Sequence, residues 1–215
     1  MDIITLPYGP LQSNMYLIQG ESGFFIVDPS VSPDIVMRRC ASVDLSKIKA
    51  ILVTHAHYDH ISSVFEWMKK CPDVQVFMSD VDVQLLSDPQ SNCSFFTGSG
   101  SDLTFVSSDV SGLKQLSSSD DQFDIKAVPT PGHTSGSVTF DVTDKKDGTR
   151  ALFTGDTIFA GSIGRTDFPT GDISEMYSSI DIIKKYPDEL PIYPGHGPSS
   201  TVGYEKKTNP FFLGF

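Results

Sequence analysis

The chain has 215 residues, is 39% hydrophobic and 20% charged, and carries a formal net charge of −11. That composition excludes a disordered chain and allows one domain with a substantial core, while the negative charge repels a phosphate backbone, so nucleic acid is not an expected partner. No basic, apolar leader opens the sequence, and no apolar run approaches the about 18 residues of a membrane span, so a cytoplasmic protein with no membrane partner is expected.

In chain order, residues 15–18 and 24–27 are apolar runs split by Gln19-Gly20-Glu21-Ser22-Gly23, the pattern of a β-hairpin. Asp28-Pro29-Ser30 ends the second strand, and Ser32-Pro33-Asp34 starts a helix with proline in its first turn. Cys40, Cys71 and Cys93 are odd in number and have no C-x-x-C spacing, which reads as structural thiols in a reducing compartment. The run Ala50-Ile51-Leu52-Val53 is a buried strand, and a helix is expected from Asp59 to about Lys70 with Val64, Phe65, Trp67 and Met68 on its apolar side. Residues 74–77 form a further strand and 80–86 a further helix. The serine-rich stretch 87–124 reads as a solvated connection with short strands such as 103–106, or as a rim shaping access to a site. Alternation resumes at 125–128 and 137–142, residues 151–153 are apolar, a helix spans about 174–186, and Ile192-Tyr193 is a last short strand. The tail Phe211-Phe212-Leu213-Gly214-Phe215 is apolar enough to pack on the body or against a second copy of the chain, as in a homodimer.

Between these elements lies an uneven distribution of histidine. Of five histidines, three fall in Thr54-His55-Ala56-His57-Tyr58-Asp59-His60, where the strand at 50–53 leaves the core. The other two, His133 and His196, each sit in a Pro/Gly-framed turn, and Asp156 ends the apolar run Leu152-Phe153. Neutral imidazole is the commonest metal ligand and carboxylate its hard partner. Two residues apart in extended backbone, His55 and His57 point the same way, and a helix starting at Asp59 gives the ligands a firm base. Asp28 either bonds its own turn or backs a ligand from behind. The recurring unit is a strand, a ligand-bearing loop, then a helix or strand, which predicts a layered α/β protein with its ligands along one edge of the sheets.

The order H-x-H-x-D-H (His55, His57, Asp59, His60), then His133, Asp156 and His196, resembles the metallo-β-lactamase superfamily. The run Gly161-Ser162-Ile163-Gly164-Arg165-Thr166-Asp167-Phe168 and the Asn209-Pro210-Phe211 ending resemble its short hydroxyacylglutathione hydrolase (glyoxalase II-like) branch. The resemblance implies an αββα sandwich spanning 1–215 as a single domain. Only about nineteen residues follow His196, so the C-terminal helical glutathione-binding domain of full-length glyoxalase II is not expected. By the family pattern, His55, His57 and His133 hold one metal, Asp59, His60 and His196 a second, and Asp156 bridges them. Asp59 also orients the attacking hydroxide, and Arg165 with Thr166 meets the substrate. For Arg165, a structural pairing with Asp167 or Asp172 is the competing expectation.

Histidine and carboxylate ligands without thiolate suit two divalent ions, Zn first and Fe or Mn also. Metal binding lowers the pKa of water from about 15.7 to about 7, which supplies hydroxide at neutral pH for attack on a thioester carbonyl. The leaving thiol, with a pKa of about 8.5, departs without a strong general acid. The expected activity is therefore hydrolysis of a small-molecule acyl thioester, S-lactoylglutathione or a related hydroxyacylglutathione. The alternative is a mononuclear iron glutathione persulfide dioxygenase, a branch that shares the G-R-T-D-F run.

Overall fold

The computed structural model describes residues 1–214. Its first sheet holds β1 (Asp2–Tyr8), β2 (Ser13–Gln19), β3 (Phe24–Val27), β4 (Ile48–Leu52), β5 (Gln75–Met78) and β6 (Ser108–Asp109), hydrogen-bonded in that order. The first three strands form an antiparallel meander and β3 to β6 run parallel. The second sheet contains β7 (Phe123–Pro129), β8 (Val138–Asp144) and β9 (Arg150–Gly155). A small hairpin, β10 (Ile158–Phe159) and β11 (Ser162–Ile163), stands apart. Strands β12 (Pro191–Pro194) and β13 (Ser200–Thr201) complete the second sheet in the order β13-β12-β9-β8-β7.

The layering follows from the period-two geometry of strands that are buried on both faces. Tyr16, Ile18, Phe25, Val27, Ala50 and Leu52 pack against Phe123, Ile125, Phe140, Val142 and Phe153 between the sheets. The alternate residues Met15, Leu17, Ile26, Ile51 and Val53 face outward onto helices α1 (Pro33–Arg39), α2 (Tyr58–Ile61) and α3 (Val64–Lys70). The short helices α4 (Asp80–Val83) and α5 (Leu113–Ser119) follow. Leu152 and Ile192 face outward from the second sheet onto α6 (Ile173–Ile183), α7 (Val202–Thr208) and α8 (Pro210–Leu213). The result is helix, sheet, sheet, helix. Each large apolar side chain taken fully out of water here is worth about 1.5–3 kcal/mol.

Several local expectations need correction. The single helix expected from Asp59 to about Lys70 is two, because the Ser62 and Ser63 hydroxyls bond the Ser30 carbonyl and the Ser63 amide bonds the Pro29 carbonyl. The helix expected over 80–86 stops at Val83. No strand forms at 103–106; Leu103 and Phe105 join the outer core from irregular backbone instead, Phe105 edge-on to Phe65 of α3. The serine-rich stretch contains helix α5, whose Leu113 packs inward and whose Ser117 hydroxyl bonds Ile125. Strand β1 and helices α7 and α8 have no counterpart in the expected elements. Phe212 packs onto the body as expected of the tail, while Phe215 lies outside the described residues. The three cysteines are free thiols, and no helix among the described residues is long and apolar enough to cross a membrane.

Candidate metal centre

All the histidine-bearing loops leave the same end of the two sheets. The loop after β4 carries His55, His57, Asp59 and His60; the β7–β8 connection carries His133; the ends of β9 and β12 lead to Asp156 and His196. The two sheets are stitched together at this end. The Val138 amide bonds the Thr54 carbonyl at 2.9 Å, the Asn14 amide bonds the Gly195 carbonyl at 2.7 Å, and the Asn14 side chain bonds the carbonyls of Pro194 and Gly197. Gly195 is required by closeness: a Cβ there would strike Asp156 Oδ1 and lie 2.6 Å from His60 Cε1.

Two buried aspartates hold the loops. Asp28, in left-handed backbone with φ 52°, accepts from the Thr54 amide, the Thr54 hydroxyl and His60 Nδ1, each at 2.8 Å. It therefore backs a histidine rather than bonding its own turn. Asp82 was not signalled by the sequence, where it reads as one more acid in a first helical turn. It is fully buried, accepts from the Ala56 amide at 3.0 Å, the Thr134 hydroxyl at 2.8 Å and the Gly136 amide at 2.7 Å, and so clamps the H-x-H loop to the His133 loop. Burial pushes its carboxyl pKa up, against the pull of those hydrogen bonds.

Hydrogen bonding fixes the ring tautomers. His133 Nδ1 donates to the Arg165 carbonyl at 2.7 Å and His196 Nδ1 to the Leu11 carbonyl at 3.0 Å. His60 Nδ1 donates to Asp28. The Thr54 hydroxyl, committed as a donor to Asp28, accepts from His55 Nδ1 at 3.0 Å. In its neutral form each of these four rings keeps its lone pair on Nε2. His57 is the exception and turns Nδ1 to within 2.9 Å of His133 Nε2.

The result is three overlapping clusters: His55 with His57 and His133; His55 with His60 and Asp156; and Asp59 with His60 and His196, the ligand atoms of each within 4.8 Å of one another. Asp156 spans them, with Oδ1 3.2 Å from His60 Nε2 and Oδ2 3.4 Å from His133 Nε2 and 3.5 Å from His196 Nε2. Asp59 Oδ2 is 3.2 Å from His196 Nε2 and 3.7 Å from His60 Nε2. All seven expected ligand residues thus meet at one place. The donor set fits divalent metal. Nε2 of His55, His57 and His60 and Oδ1 of Asp156 are buried without hydrogen-bond partners among the described residues. Such groups cost about 1–3 kcal/mol each, which a bound cation offsets.

Residues 8–196 match the metallo-beta-lactamase superfamily model. The chain belongs to the metallo-beta-lactamase superfamily. Among its relatives is the hydroxyacylglutathione hydrolase GloC of Haemophilus influenzae, 32% identical over 214 residues and covering 98% of each chain. Two solved structures superpose with a TM-score of 0.79. The BLEG-1 B3 metallo-beta-lactamase is 28% identical, over 99% of this chain and 100% of that one. TTHA1623 in a di-iron-bound form is 27% identical, over 97% and 99%. The αββα architecture is therefore that of the superfamily, whose fold binds divalent metals.

Within this metallo-beta-lactamase site the charges divide by position. Burial and neighbouring imidazoles hold His55 well below the ordinary histidine range, and burial with His133 brings His57 down to about 3. Both are neutral donors. Burial opposes charging His60, but Asp156, Asp59 and Asp28 outweigh it and hold its pKa well above the ordinary value. Burial likewise opposes charge on His196, yet hydrogen bonds to Asp156 and Asp59 raise it to about 10. Burial works against ionising Asp156 and Asp59, and the facing histidines override it, so both carboxyls stay low.

The expected substrate residues lie beside the cluster. The Arg165 carbonyl is the acceptor for His133, while its guanidinium pairs with both oxygens of Asp167 at 2.6 Å and lies 3.8 Å over the Phe168 ring. Thr166 is half-buried in the same loop. The serine-rich stretch is only in part a solvated connection. Its segment around Phe96 reaches the site, where Phe96 stacks on Phe168 and Phe168 stands edge-on to His57.

Proposed function

We propose that the protein is a dinuclear metal-dependent hydrolase of acyl thioesters, acting on S-lactoylglutathione or a related hydroxyacylglutathione. The observation that carries this reading is Asp156, whose two oxygens reach toward members of both flanking clusters. The similarity to GloC along the full chain supports the substrate class. Under this reading His55, His57 and His133 would hold one ion and Asp59, His60 and His196 the other, with Asp156 shared between them. The donor set suits Zn, Fe or Mn.

Two bound divalent ions supply ionised water near neutral pH and an electrophile for the acyl oxygen. The protein supplies the rest. The neutral rings of His55 and His57 present lone pairs directly, while the Nδ1 bonds to the Arg165 and Leu11 carbonyls and to Asp28 aim Nε2 of His133, His196 and His60 at the site, where His196 and His60 would give up a proton to a bound cation. Asp59 is more open than the other ligand carboxylate, its side chain 17% exposed against 10% for Asp156, and orients the attacking water. The oxygen of the ionised water adds to the acyl carbon, the C–S bond then breaks, and the proton carried on that oxygen passes to the departing sulfur. The thiolate, of pKa about 8.5, leaves without a strong acid, and the products are carboxylate and thiol.

The test is Asp156→Ala, with metal content and S-lactoylglutathione hydrolysis measured together on wild type and variant. The variant is expected to lose at least one metal equivalent and turnover by about 10³-fold or more, as for loss of a group central to electrostatic stabilisation. Retention of both would contradict the bridging role. A wild type with one iron that consumes oxygen with glutathione persulfide, and spares thioesters, would replace this reading with the dioxygenase.

A further inference from the structure

Aromatic rings flank the metal-facing side chains. Phe168 stands edge-on to His57 with centroids 5.7 Å apart. Phe96 stacks on Phe168 at 5.7 Å with planes 29° apart, and Phe95 meets Phe96 edge-on at 5.8 Å. On the opposite flank Phe159 is edge-on to His196 at 5.8 Å. Phe95 and Phe96 are 60% and 65% exposed, although rings of that size normally go to the core.

The segment that offers them is held firmly. The Asn92 carbonyl accepts from the amide of Tyr58, the residue after His57, at 2.7 Å. The fully buried Asn92 side chain donates to the carbonyls of Leu86 and Ser101 and accepts from the Ser94 amide. Cys93 takes left-handed backbone, φ 63°, to turn the chain outward. The two exposed rings are thus tethered to the ligand loop itself.

Arg165 is paired through Nε and Nη2 to Asp167 and lays its guanidinium plane on Phe168, so it extends the flat wall more than it offers an unmatched charge. A peptide thiol brings carboxylates and amides, for which phenyl rings and a committed guanidinium are poor partners. The other substituent on the reacting carbonyl is the acyl group. It is joined directly to the carbon that must sit at the metals, which puts it within reach of a wall that begins on a ligand ring.

We propose that Phe95, Phe96 and Phe168 form an apolar subsite beside His57 that takes a bulky aromatic or aliphatic acyl group, so that the preferred substrates are apolar-acyl thioesters. This rests on the thioesterase reading above. Phe96 determines specificity by presenting its free face to the acyl group, and Phe168 orients it.

Two paired measurements test it, on metal-loaded wild type and on Phe96→Ala, with urea unfolding as the check on folding. The first compares kcat/KM for S-mandeloylglutathione and S-lactoylglutathione, which differ by phenyl for methyl. Wild type is expected to prefer the mandeloyl thioester, and Phe96→Ala to lower that preference by about threefold to tenfold, the worth of an aromatic contact. The second measures equilibrium binding of the non-hydrolysable S-benzylglutathione and S-methylglutathione, where the same ratio should fall. Thioester hydrolysis with ratios that Phe96→Ala leaves unchanged overturns the subsite and spares the hydrolase. No hydrolysis, with a benzyl preference that Phe96→Ala removes, keeps the subsite and overturns the hydrolase. A protein that binds both thioethers equally refutes the subsite whatever its turnover. So does concentration-dependent dimerisation lost in Phe96→Ala with the ratios unmoved, which gives the rings to a second copy.

Discussion

Asp28 serves three acceptor contacts with one carboxylate, two to Thr54 and one to His60. Replacing it by Asn removes one acceptor oxygen and turns an amide toward a group that must itself donate. Losing such a backing group typically costs 10- to 100-fold in metal affinity, so Asp28→Asn is expected to weaken metal binding by about that factor, read by competition with a chromogenic chelator. Wild-type affinity in the variant would refute the orienting role. At this scale the sequence was most informative about residue type. His55, His57, Asp59, His60, His133, Asp156 and His196 were legible because histidines are few here and each stands in a turn or at a strand end. Whether Asp28 backed a ligand was open, because an aspartate after a strand serves a turn equally well. Asp82 was illegible: its role depends on amides at Ala56 and Gly136, which come near it only when three loops converge.

Strands were read better than helices, and the reason lies in burial. Residues 24–27 of β3, 50–52 of β4 and 151–153 of β9 are buried on both faces and show as apolar runs. Helix α5 buries little beyond Leu113 and Ser117, and α7 buries Val202, Gly203 and Glu205, patterns too weak to separate from loop. Their stability comes from tertiary partners, as when Glu205 accepts from the Gly161 amide and the Asn209 side chain, each at 2.8 Å. Asp120, at the end of α5, is a similar device between sheets. It accepts from the Phe123 amide opening β7 at 2.7 Å and from Lys49 on β4. Burial disfavours its charge, but Lys49 and the Phe123 and Gln122 amides prevail and keep its pKa below the ordinary carboxylate value. A depressed folded-state pKa contributes stability that is present above the unfolded value of about 3.9 and is lost as pH falls through the lower, folded one. Asp120→Asn is therefore expected to be less stable than wild type at pH 7 and to converge on it below about pH 4, followed by urea midpoints across pH. A gap that persists undiminished to pH 2 would show that ionisation of Asp120 is not what stabilises the junction.

For the whole molecule, the site is the seam between two sheets. The loop ends of β4, β9 and β12 meet there, joined through Val138, Thr54, Asn14 and Gly195. Metal bound at a seam stabilises the folded state by mass action, about 2.7 kcal/mol at a free concentration of one hundred times Kd. For a domain of about 200 residues that corresponds to a fall in Tm of about 5–10 °C on chelation, reversed by adding zinc. Calorimetry on protein shown to be metal-free would check it, and an unchanged Tm would count against ligands drawn from both sheets.

The amino-acid sequence by itself determined which side chains could bind metal, that strands would carry them to loop ends, and, through the spacing of the motifs, which superfamily the chain resembles. These are local properties: residue type, apolar period and turn chemistry act over a few positions. The tertiary structure alone decided that Asp156 lies between the two flanking clusters, that Asp28 and Asp82 hold the loops, and that Phe96 of a serine-rich stretch stacks on Phe168, the ring edge-on to His57. Those outcomes depend on contacts between residues tens to more than a hundred positions apart. Such contacts form only when the two apolar sheet faces pack together, and no local pattern in the chain encodes where a distant loop will then lie.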